Sequence, residues 1–531
     1  MSDDQITQRH RFRIIIPAYP AFNIYSGVAR MTTALGPICV GTMVNKTKNW
    51  DVEIIDENNY QRFGPKTADG KPDHAALQKI RPAEIVGFYG GLSSTIPRLY
   101  ELARVYKNLG ATTIAGGQHF VDDNIREALE HCIDFVVIGE GEQTTKELLN
   151  ALNLGFDPHG INGIAFLEKG GIVHTPERET MTDFDKLPLP DFSLLRYARI
   201  KIYPVGWVRG CGMNCEFCTV KGKVRCPAPE YVFNQIISLL ERLNARHFFL
   251  VDDLFGQNRE STLRLCEMLR KYQETVGVRL SITVQIRLDK ARDEELLKAM
   301  RSAGITSVAI GFESPIPEEL AAMNKKLEPE RMLSMTRLFH KAGFFVHGMF
   351  IFGYPIPGDF RFKMTAEQRV RVFRKFIRKA RIDTVQILLP VPLPGTEMTK
   401  RLESQNRIFS RDCVGWEYYD GNFPLFEPDP PMTPEAMQGS LRKIMGRFYR
   451  FRYMFLISLN ILIFPTMLFS LYNIKFGWRK WYRKWRNNIL RFAGWRILRK
   501  WTADFKKGKF SDRLIMAKKM LHAKSDPKTR N

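Results

Sequence analysis

The feature that most constrains the fold is a repeated alternation of short apolar runs with segments of helical length. Between residues 11 and 152 the runs fall at 12–17, 52–56, 85–89, 112–115 and 135–138. Parallel strands buried on both faces have this character, and stretches such as 96–109 have the length of crossover helices. The alternation predicts an α/β protein that opens with a doubly wound, Rossmann-like sheet.

A second alternation follows a proline-rich stretch. Residues 153–194 lose the pattern and end in Leu-Pro-Leu-Pro at 187–190, which predicts a stiff linker. From 195 to 425, one apolar run precedes a cysteine-rich loop, and later runs fall at 248–251, 281–286, 307–312, 345–352 and 384–389. A second linker is expected at 426–440. The predicted domains are therefore 11–152, 195–425 and a tail at 441–531.

Three cysteines in that loop, Cys211, Cys215 and Cys218, have the spacing C-x3-C-x2-C. Three thiolates can hold three irons of a [4Fe–4S] cube and leave the fourth iron open. An open iron can bind the amino and carboxylate groups of S-adenosylmethionine (SAM), whose C–S bond one electron then splits. Zinc is the alternative, but structural zinc takes four ligands, and the next cysteine, Cys226, follows a lysine-rich stretch. The remaining cysteines are expected to be ordinary thiols.

This motif resembles that of the radical SAM superfamily. Over roughly residues 11–425 the chain is similar to the members that carry an N-terminal cobalamin-binding domain. The resemblance implies a partial (β/α)6 barrel for the second domain, with Phe217 against the adenine of SAM. It also implies SAM contacts from the ends of three barrel strands, through Asp252, Asp253, Gln285, Arg287, Glu313 and Ser314. Carboxylates and a glutamine at strand ends suit an ammonium group and ribose hydroxyls, but barrel-mouth ion pairs are an equal alternative.

Small-residue loops follow three strands of the first domain, at 90–95, 116–119 and 139–142. Their spacing alone fits either a flat ligand or simple strand-to-helix turns. The resemblance implies cobalamin, with its corrin or nucleotide tail near Ser94, Thr95, Gly116, Gly117, Gly139 and Glu140. The D-x-H-x-x-G signature for a cobalt-binding histidine is absent, since Asp73-His74 lacks its spacing. The lower cobalt ligand stays open, and an empty domain is the alternative.

The resemblance favours methyl transfer to an unactivated carbon over its main alternative, an oxidative ring closure of the tetrapyrrole type. Methylthiotransferases need three further N-terminal cysteines, and only Cys39 and Cys132 precede the motif. A noncatalytic cobalamin or redox sensor docked on a membrane is the alternative from another class. For an enzyme, the expected setting is anaerobic, with a flavodoxin- or ferredoxin-type electron donor.

The tail carries most of the charge. The chain has a net charge of +24, and residues 441–531 hold 24 Lys and Arg against three acids, so the remainder is nearly neutral at +3. Within the tail, 22 residues at 453–474 are uncharged, about enough to cross a bilayer. Pro465 and basic flanks on both sides instead favour a re-entrant or in-plane arrangement. This composition predicts an anionic membrane surface as the partner.

An aromatic stripe follows that run, at three- or four-residue spacing: Trp478, Trp481, Trp485, Ile489, Phe492, Trp495 and Leu498. It predicts an interfacial membrane helix, against the alternative of a helix packed on the barrel. Nucleic acid is disfavoured because it gives the uncharged run no role. Residues 1–13 do not resemble a secretory signal. We therefore expect a cytoplasmic protein at the inner face of the membrane, acting on a lipid-like substrate such as a terpenoid, fatty chain or tetrapyrrole.

Overall fold

The computed structural model describes residues 9–47, 49–61, 63–358, 362–469, 474–507 and 510–525. Its first part forms one sheet with helices on both faces. The elements are β1 (His10–Ile16), α1 (Ser26–Ala29), α2 (Leu35–Asn45), β2 (Trp50–Asp56), α3 (His74–Ile80), β3 (Ile85–Tyr89), α4 (Ile96–Asn108), β4 (Thr112–Gly116), α5 (Asp123–Glu130), β5 (Phe135–Val137), α6 (Gly141–Leu154), β6 (Ile164–Glu168), β7 (Gly171–His174) and β8 (Leu195–Arg196).

The strand order of this sheet is β7-β6-β5-β4-β3-β1-β2-β8. The strands from β8 to β5 are parallel, and Phe12 pairs with Val52 on one side and Ile85 on the other. The five apolar runs predicted from the sequence coincide with β1 to β5, and the predicted doubly wound α/β sheet is confirmed. The chain order reverses between β1 and β3, where sheets of this kind form a ligand crevice beyond their strand ends.

The segment expected to be a linker is not structureless. Within 153–194, β6 pairs antiparallel with β5 and β7 pairs antiparallel with β6, so a hairpin extends the first sheet. Only Ile164, Ala165 and Phe166 of β6 are buried, and β7 is largely exposed. Such a short apolar run carries too weak a periodic signal to be recognised as a strand.

The second part is a sheet of six parallel strands in sequential order, from β9 to β14. Each strand from β10 to β13 is followed by at least one helix, as in a partial (β/α)6 barrel. The elements are β9 (Tyr203–Val205), α7 (Pro229–Leu243), β10 (His247–Phe255), α8 (Arg259–Val276), β11 (Ser281–Ile286), α9 (Glu294–Ser302), β12 (Ile305–Glu313), α10 (Pro317–Ala322), α11 (Pro329–Lys341), β13 (Phe345–Ile351), α12 (Ala366–Lys379), β14 (Thr384–Leu388), α13 (Glu397–Ser404) and α14 (Arg411–Val414).

The tail contains α15 (Pro434–Phe448), α16 (Tyr453–Phe469), α17 (Ile474–Lys507) and α18 (Phe510–Ser525). Helices α16 and α17 pack together, and the Trp481 indole donates to the Asn460 carbonyl at 3.1 Å. In the described part of the chain, no helix has both the length and the apolar character required for a bilayer crossing.

Helix α17 packs on the barrel. Leu498 and Trp501 are buried in the core, and Arg491 donates to the carbonyls of Ile382 and Asp383 at 3.0 and 3.2 Å. The predicted aromatic stripe therefore lies partly against protein, because its C-terminal end is buried against the barrel. The side chain of Trp478 lies outside the described residues.

Candidate functional site

The cysteine loop between β9 and α7 is closed at its base. Backbone hydrogen bonds of 2.9 Å run in both directions between Arg209 and Arg225. Gly210 has a positive φ of 80°, and a Cβ there would stand 2.4 Å from the carbonyl oxygen of Lys223. Only glycine fits this close approach of the two sides of the loop.

The three predicted cluster ligands lie on this one loop, within eight residues of each other in the chain. Cys215 is buried, and Cys211 and Cys218 are partly exposed. Burial raises the pKa of Cys215, and the Cys218 and Cys211 thiols raise it further, against Lys325. In the described ranges, no three His, Cys, Asp or Glu side chains are grouped closely enough to hold one metal ion. Three thiols on one loop are the donor set of a cluster with one open iron, so the residues fit that cofactor.

Glu216, which follows Cys215, is fixed by distant partners. Its carboxylate accepts hydrogen bonds from Arg401 at 2.6 and 3.0 Å and from the Tyr354 hydroxyl at 2.5 Å. The Tyr354 ring also meets Phe217 edge-on, with 6.0 Å between ring centroids. The bidentate Glu216–Arg401 pair anchors the cysteine loop to α13. Sequence reasoning missed it, and the only signal was an acid inside a metal-binding loop.

Asp252 and Asp253, near the end of β10, bind the backbone that leads into the cysteine loop. Asp252 accepts hydrogen bonds from the backbone of Trp207 and Val208 at 2.6 and 2.9 Å, and Asp253 accepts one from Gly210 at 3.2 Å. Burial raises the pKa of Asp252 to about 7. Asp252 thus binds backbone through Oδ1, while Oδ2 has no hydrogen-bond partner among the described residues, and its predicted contact with SAM stays a prediction. Asp253 is less enclosed.

Gln285 and Arg287 also contact this region. The Gln285 amide donates to the backbone carbonyl of Asp252 at 3.3 Å. The Arg287 guanidinium pairs with Asp289 at 2.8 Å and donates to the sulfur of Met213 at 3.2 Å. Arg287 therefore supports the cysteine loop and forms the ion pair that was its alternative role.

Glu313 and Ser314 differ in accessibility. Glu313 has a φ of +58°, a conformation that a non-glycine residue adopts at a cost and that is frequent at functional sites. Its carboxylate pairs with Lys325 at 3.0 Å. Ser314 is fully buried and donates to Glu319. The Ser314 hydroxyl therefore anchors α10, and the predicted cofactor contact of Ser314 stays a prediction.

A cavity of about 440 Å³ lies between the first sheet and the cysteine loop. On one side its wall follows the carboxyl ends of β3, β4 and β5, at the crevice where the strand order reverses. On the other side it reaches the base of the cysteine loop and the end of β10. Its polar and glycine wall includes Tyr89, Gly116, Gly117, Gln118, Gly139, Arg209, Asp252 and Asp253.

Three glycines predicted to face cobalamin, Gly116, Gly117 and Gly139, line this cavity. Gly117 has a φ of 135°, and a Cβ there would stand 2.5 Å from the carbonyl carbon of Gly90. A Cβ on Gly139 would meet nothing within 4 Å. Gly117 lets its loop contact the loop at Gly90, and Gly139 leaves open space for a ligand.

The other three predicted residues do not line the cavity. Ser94 and Thr95 are buried in a turn that packs against residues 416–418. Glu140 forms ion pairs with the barrel domain instead. Spacing alone placed all six residues on strand-end loops, but each loop turns only part of its length toward the cavity.

Glu140 belongs to a group that we call the interdomain clasp: Glu140, Glu142, Phe184, Arg209 and Arg225. Glu140 pairs with Arg225 at 2.8 Å and with Arg209 at 3.2 Å, and Arg209 also binds Glu142. Both guanidinium groups lie over the Phe184 ring, at 4.9 and 5.4 Å from its centroid. Burial opposes ionisation of Glu140, but the two arginines hold its pKa below the usual range. The clasp ties the base of the cysteine loop to the first domain.

The chain is similar in sequence to several known proteins. Residues 206–369 match the model of the Radical SAM superfamily. The chain is 29% identical over 391 residues to an uncharacterized methyltransferase of Pyrococcus horikoshii, covering 71% of this chain and 81% of that protein. It is 25% identical over 453 residues to the anaerobic magnesium-protoporphyrin IX monomethyl ester cyclase of Cereibacter sphaeroides, covering 81% and 69%.

Among solved structures, the chain is similar to the radical SAM methyltransferase TsrM of Kitasatospora setae, determined with cobalamin and a [4Fe–4S] cluster bound. The TM-score is 0.60 at 18% identity, covering 75% of this chain and 78% of that one. At this identity the likeness shows a shared fold. Together with the radical SAM domain matched at 206–369, it confirms the predicted mixed α/β fold with a parallel sheet.

Proposed function

We propose that this radical SAM enzyme is a cobalamin-dependent methyltransferase that acts on an unactivated carbon of a lipid-like molecule. The observation that carries the proposal is the cavity, because its wall joins the glycine loops of the first sheet to the base of the cysteine loop. Asp253 lines the cavity and also binds the backbone of Gly210, next to Cys211. A ligand in the cavity would lie beside the cluster ligands.

The cavity wall suits a flat ring held from one side. Gly116 and Gly139 present backbone, and neither carries a side chain that would occupy the space in front of it. None of the described residues that line the cavity is a histidine. His74 is buried against Tyr106 and Glu57 instead. We therefore propose that cobalamin binds here without a histidine from this chain on its cobalt.

The chain's own residues position and enclose the reactants. Cluster and SAM supply a carbon-centred radical, and cobalamin supplies a methyl group. The apolar rings of Trp207 and Phe184 line the cavity, and with a ligand bound they would help to keep water away from a reactive species. Gln285, Asp253 and Glu313 offer hydrogen-bond acceptors to SAM. The clasp fixes the distance between the two cofactor sites.

Isotope transfer tests the proposal. The protein is reconstituted anaerobically with iron, sulfide and hydroxocobalamin, and reduced chemically or by a flavodoxin- or ferredoxin-type donor. It is then given methyl-labelled SAM and a lipid extract. Label in a lipid product, with 5′-deoxyadenosine formed alongside, is the expected result. Cys215→Ser should remove both signals and Cys226→Ser neither. If the wild-type protein binds both cofactors and cleaves no SAM, the sensor alternative holds and the enzyme proposal fails.

Oxidative cyclisation is the second candidate, favoured by the 453-residue alignment with the cyclase. Product mass separates the two reactions, because methylation adds one carbon and two hydrogens whereas ring closure removes hydrogens. A product that has lost hydrogens and carries no label would replace the methyltransferase proposal with the cyclase.

Membrane contact is assigned in this proposal to α16. Phe455, Leu459 and Leu462 lie on one face of that helix with exposures of 61%, 50% and 73%. Arg452, just before the helix, is also exposed. An exposed apolar face with basic neighbours suits the interface of an anionic membrane. Such docking would bring the barrel to the inner membrane face, where lipid-like substrates dissolve.

Vesicle flotation tests this contact. The full-length protein should float with phosphatidylglycerol-containing vesicles, and Phe455→Ser, Leu459→Ser and Leu462→Ser together should abolish flotation. Ile515 and Met516, at 54% and 59% exposure on α18, provide the matched control when both are changed to serine. Equal flotation of the α16 variant and the wild type would refute the assignment.

A further inference from the structure

The barrel is not closed at β14, and two other segments cover this open edge. The Leu389 amide, just after β14, donates to the carbonyl of Gly421 at 2.7 Å. Phe22, from the first domain, stacks on Tyr418 with 5.0 Å between ring centroids. The first domain, the end of β14 and residues 416–423 therefore meet at one place, which we call the rim junction.

The inner side of the barrel is polar near this junction. Val346, Val385 and Ile387 are buried in the core, so the alternating residues of β13 and β14 face the interior of the barrel. Two of them are His347 and Gln386. The His347 ring nitrogens lie 2.9 Å from the Thr384 hydroxyl and 3.4 Å from the Gln386 side-chain oxygen. The Tyr25 hydroxyl lies near Gln386. Burial lowers the pKa of His347, which keeps the imidazole neutral.

Asp420 lies beside this polar wall, and none of the described residues forms an ion pair with it. One of its carboxylate oxygens accepts a hydrogen bond from the Asn422 amide at 2.9 Å. The other oxygen, Oδ2, is buried and has no hydrogen-bond partner in the described part of the chain. Gly421, the next residue, packs against the end of β14, since a Cβ there would stand 3.0 Å from the Leu388 side chain. Asp420 therefore lies beside the strand that carries Gln386. Burying an unpaired acceptor is unfavourable, so a donor from outside the chain, water or a ligand, would stabilise this atom.

We propose that Asp420, with Tyr25 and Gln386, binds a hydrogen-bond-donating group of the substrate, an ammonium or a hydroxyl. This assignment rests on the proposed function only in naming the ligand as the substrate of this barrel. A carboxylate enclosed in this way attracts a donor and repels an anionic group. The substrate therefore carries its donor group on the part that reaches the rim junction, and no carboxylate or phosphate there.

Binding of simple probes tests the proposal without requiring turnover. The full-length holoenzyme is titrated with decylamine, decanol and decanoate, and affinity is taken from the rise in its thermal midpoint. We expect the amine or the alcohol to bind and decanoate not to bind. Asp420→Asn should weaken amine binding by about tenfold or more, because the charge is lost, and alcohol binding by roughly threefold, because an acceptor remains.

Asp412→Asn, at an exposed position of α14, is the matched control and should leave every affinity unchanged. If Asp420→Asn does not fold, Tyr25→Phe removes a hydroxyl from the same site and should weaken the same probe. Equal affinities of wild type and variant, or equal binding of all three probes, would overturn the proposal. If binding depends on Asp420 but the protein transfers no methyl group, the proposed function is wrong and the proposed binding site is still supported.

Discussion

The interdomain clasp and the rim junction both enclose carboxylates, but only the carboxylates of the clasp are paired with arginines. At the clasp, Glu140 is surrounded by Arg209 and Arg225, and its pKa is lowered. At the rim junction, no cation among the described residues pairs with Asp420, and burial raises its pKa to about 7. A paired buried charge fixes structure, whereas an unpaired one costs stability until a ligand supplies the partner. The difference separates the part that positions the chemistry from the part that selects the substrate.

The largest expected effect lies where the clasp meets the cysteine loop. Cys215→Ser should eliminate SAM cleavage and most bound iron, because the cube loses one of only three protein ligands. The free energy of unfolding of the apoprotein should change little, since the clasp does not involve this thiol. Iron content, iron–sulfur absorption and 5′-deoxyadenosine formation are the measurements. Cys226→Ser is the control, and a Cys215→Ser protein that retains a full cluster would contradict the assignment.

The pH dependence of stability tests the rim junction. The pKa of Asp420 is about 7 in the fold, against 3.8 for an ordinary aspartate. As pH rises from about 4 to 7, the unfolded chain loses the proton while the fold retains it, so stability falls across that window. Asp420→Asn should remove this decline and add about 2–4 kcal/mol at neutral pH. Denaturant titrations of ligand-free wild type and variant from pH 4 to 8 provide the check, and parallel curves would mean that Asp420 is not enclosed.

A substitution in the clasp should change the free energy of unfolding by a smaller amount. Arg209→Met leaves Glu142 buried without its cation, and we expect a cost of about 1–3 kcal/mol, reduced from the value for a fully buried pair because Arg209 is 32% exposed. Affinity for hydroxocobalamin should fall as well, since the cavity wall loses its fixed geometry. Arg259→Met, which breaks an exposed ion pair with Asp293, should leave both stability and affinity near wild type. Matching losses in the two variants would deny the clasp any special role.

The sequence predicted the features that depend on neighbouring residues and missed those that join distant parts of the chain. Buried parallel strands are continuous apolar runs, so β1 to β5 and β10 to β14 were predictable. The cysteine loop was predictable because its ligands lie within eight residues. The clasp was not, since Glu140 and Arg225 are 85 residues apart, and neither was the Glu216–Arg401 pair at 185. Asp420 was overlooked because a lone acid in a loop looks solvated until its neighbours are known.

Lys325 provides the smallest and most selective test of what a paired buried charge does near the cluster. It pairs with Glu313 at 3.0 Å. Burial opposes its charge, but Glu313 and the Cys215 and Cys211 thiols raise its pKa above the ordinary value. A cation in this position favours the reduced, more negative cluster.

Lys325→Met should therefore lower the cluster midpoint potential by an amount on the order of 1 kcal/mol, roughly 40 mV for a one-electron couple. Lys325→Arg should restore most of the potential because it restores the charge. Lys326→Met, at the adjacent exposed position, should leave the potential unchanged. Redox titration followed by electron paramagnetic resonance measures it directly. Equal potentials for Lys325→Met and Lys326→Met would show that this ion pair only braces β12, and that at the cluster, as at the clasp, the paired charge serves the structure alone.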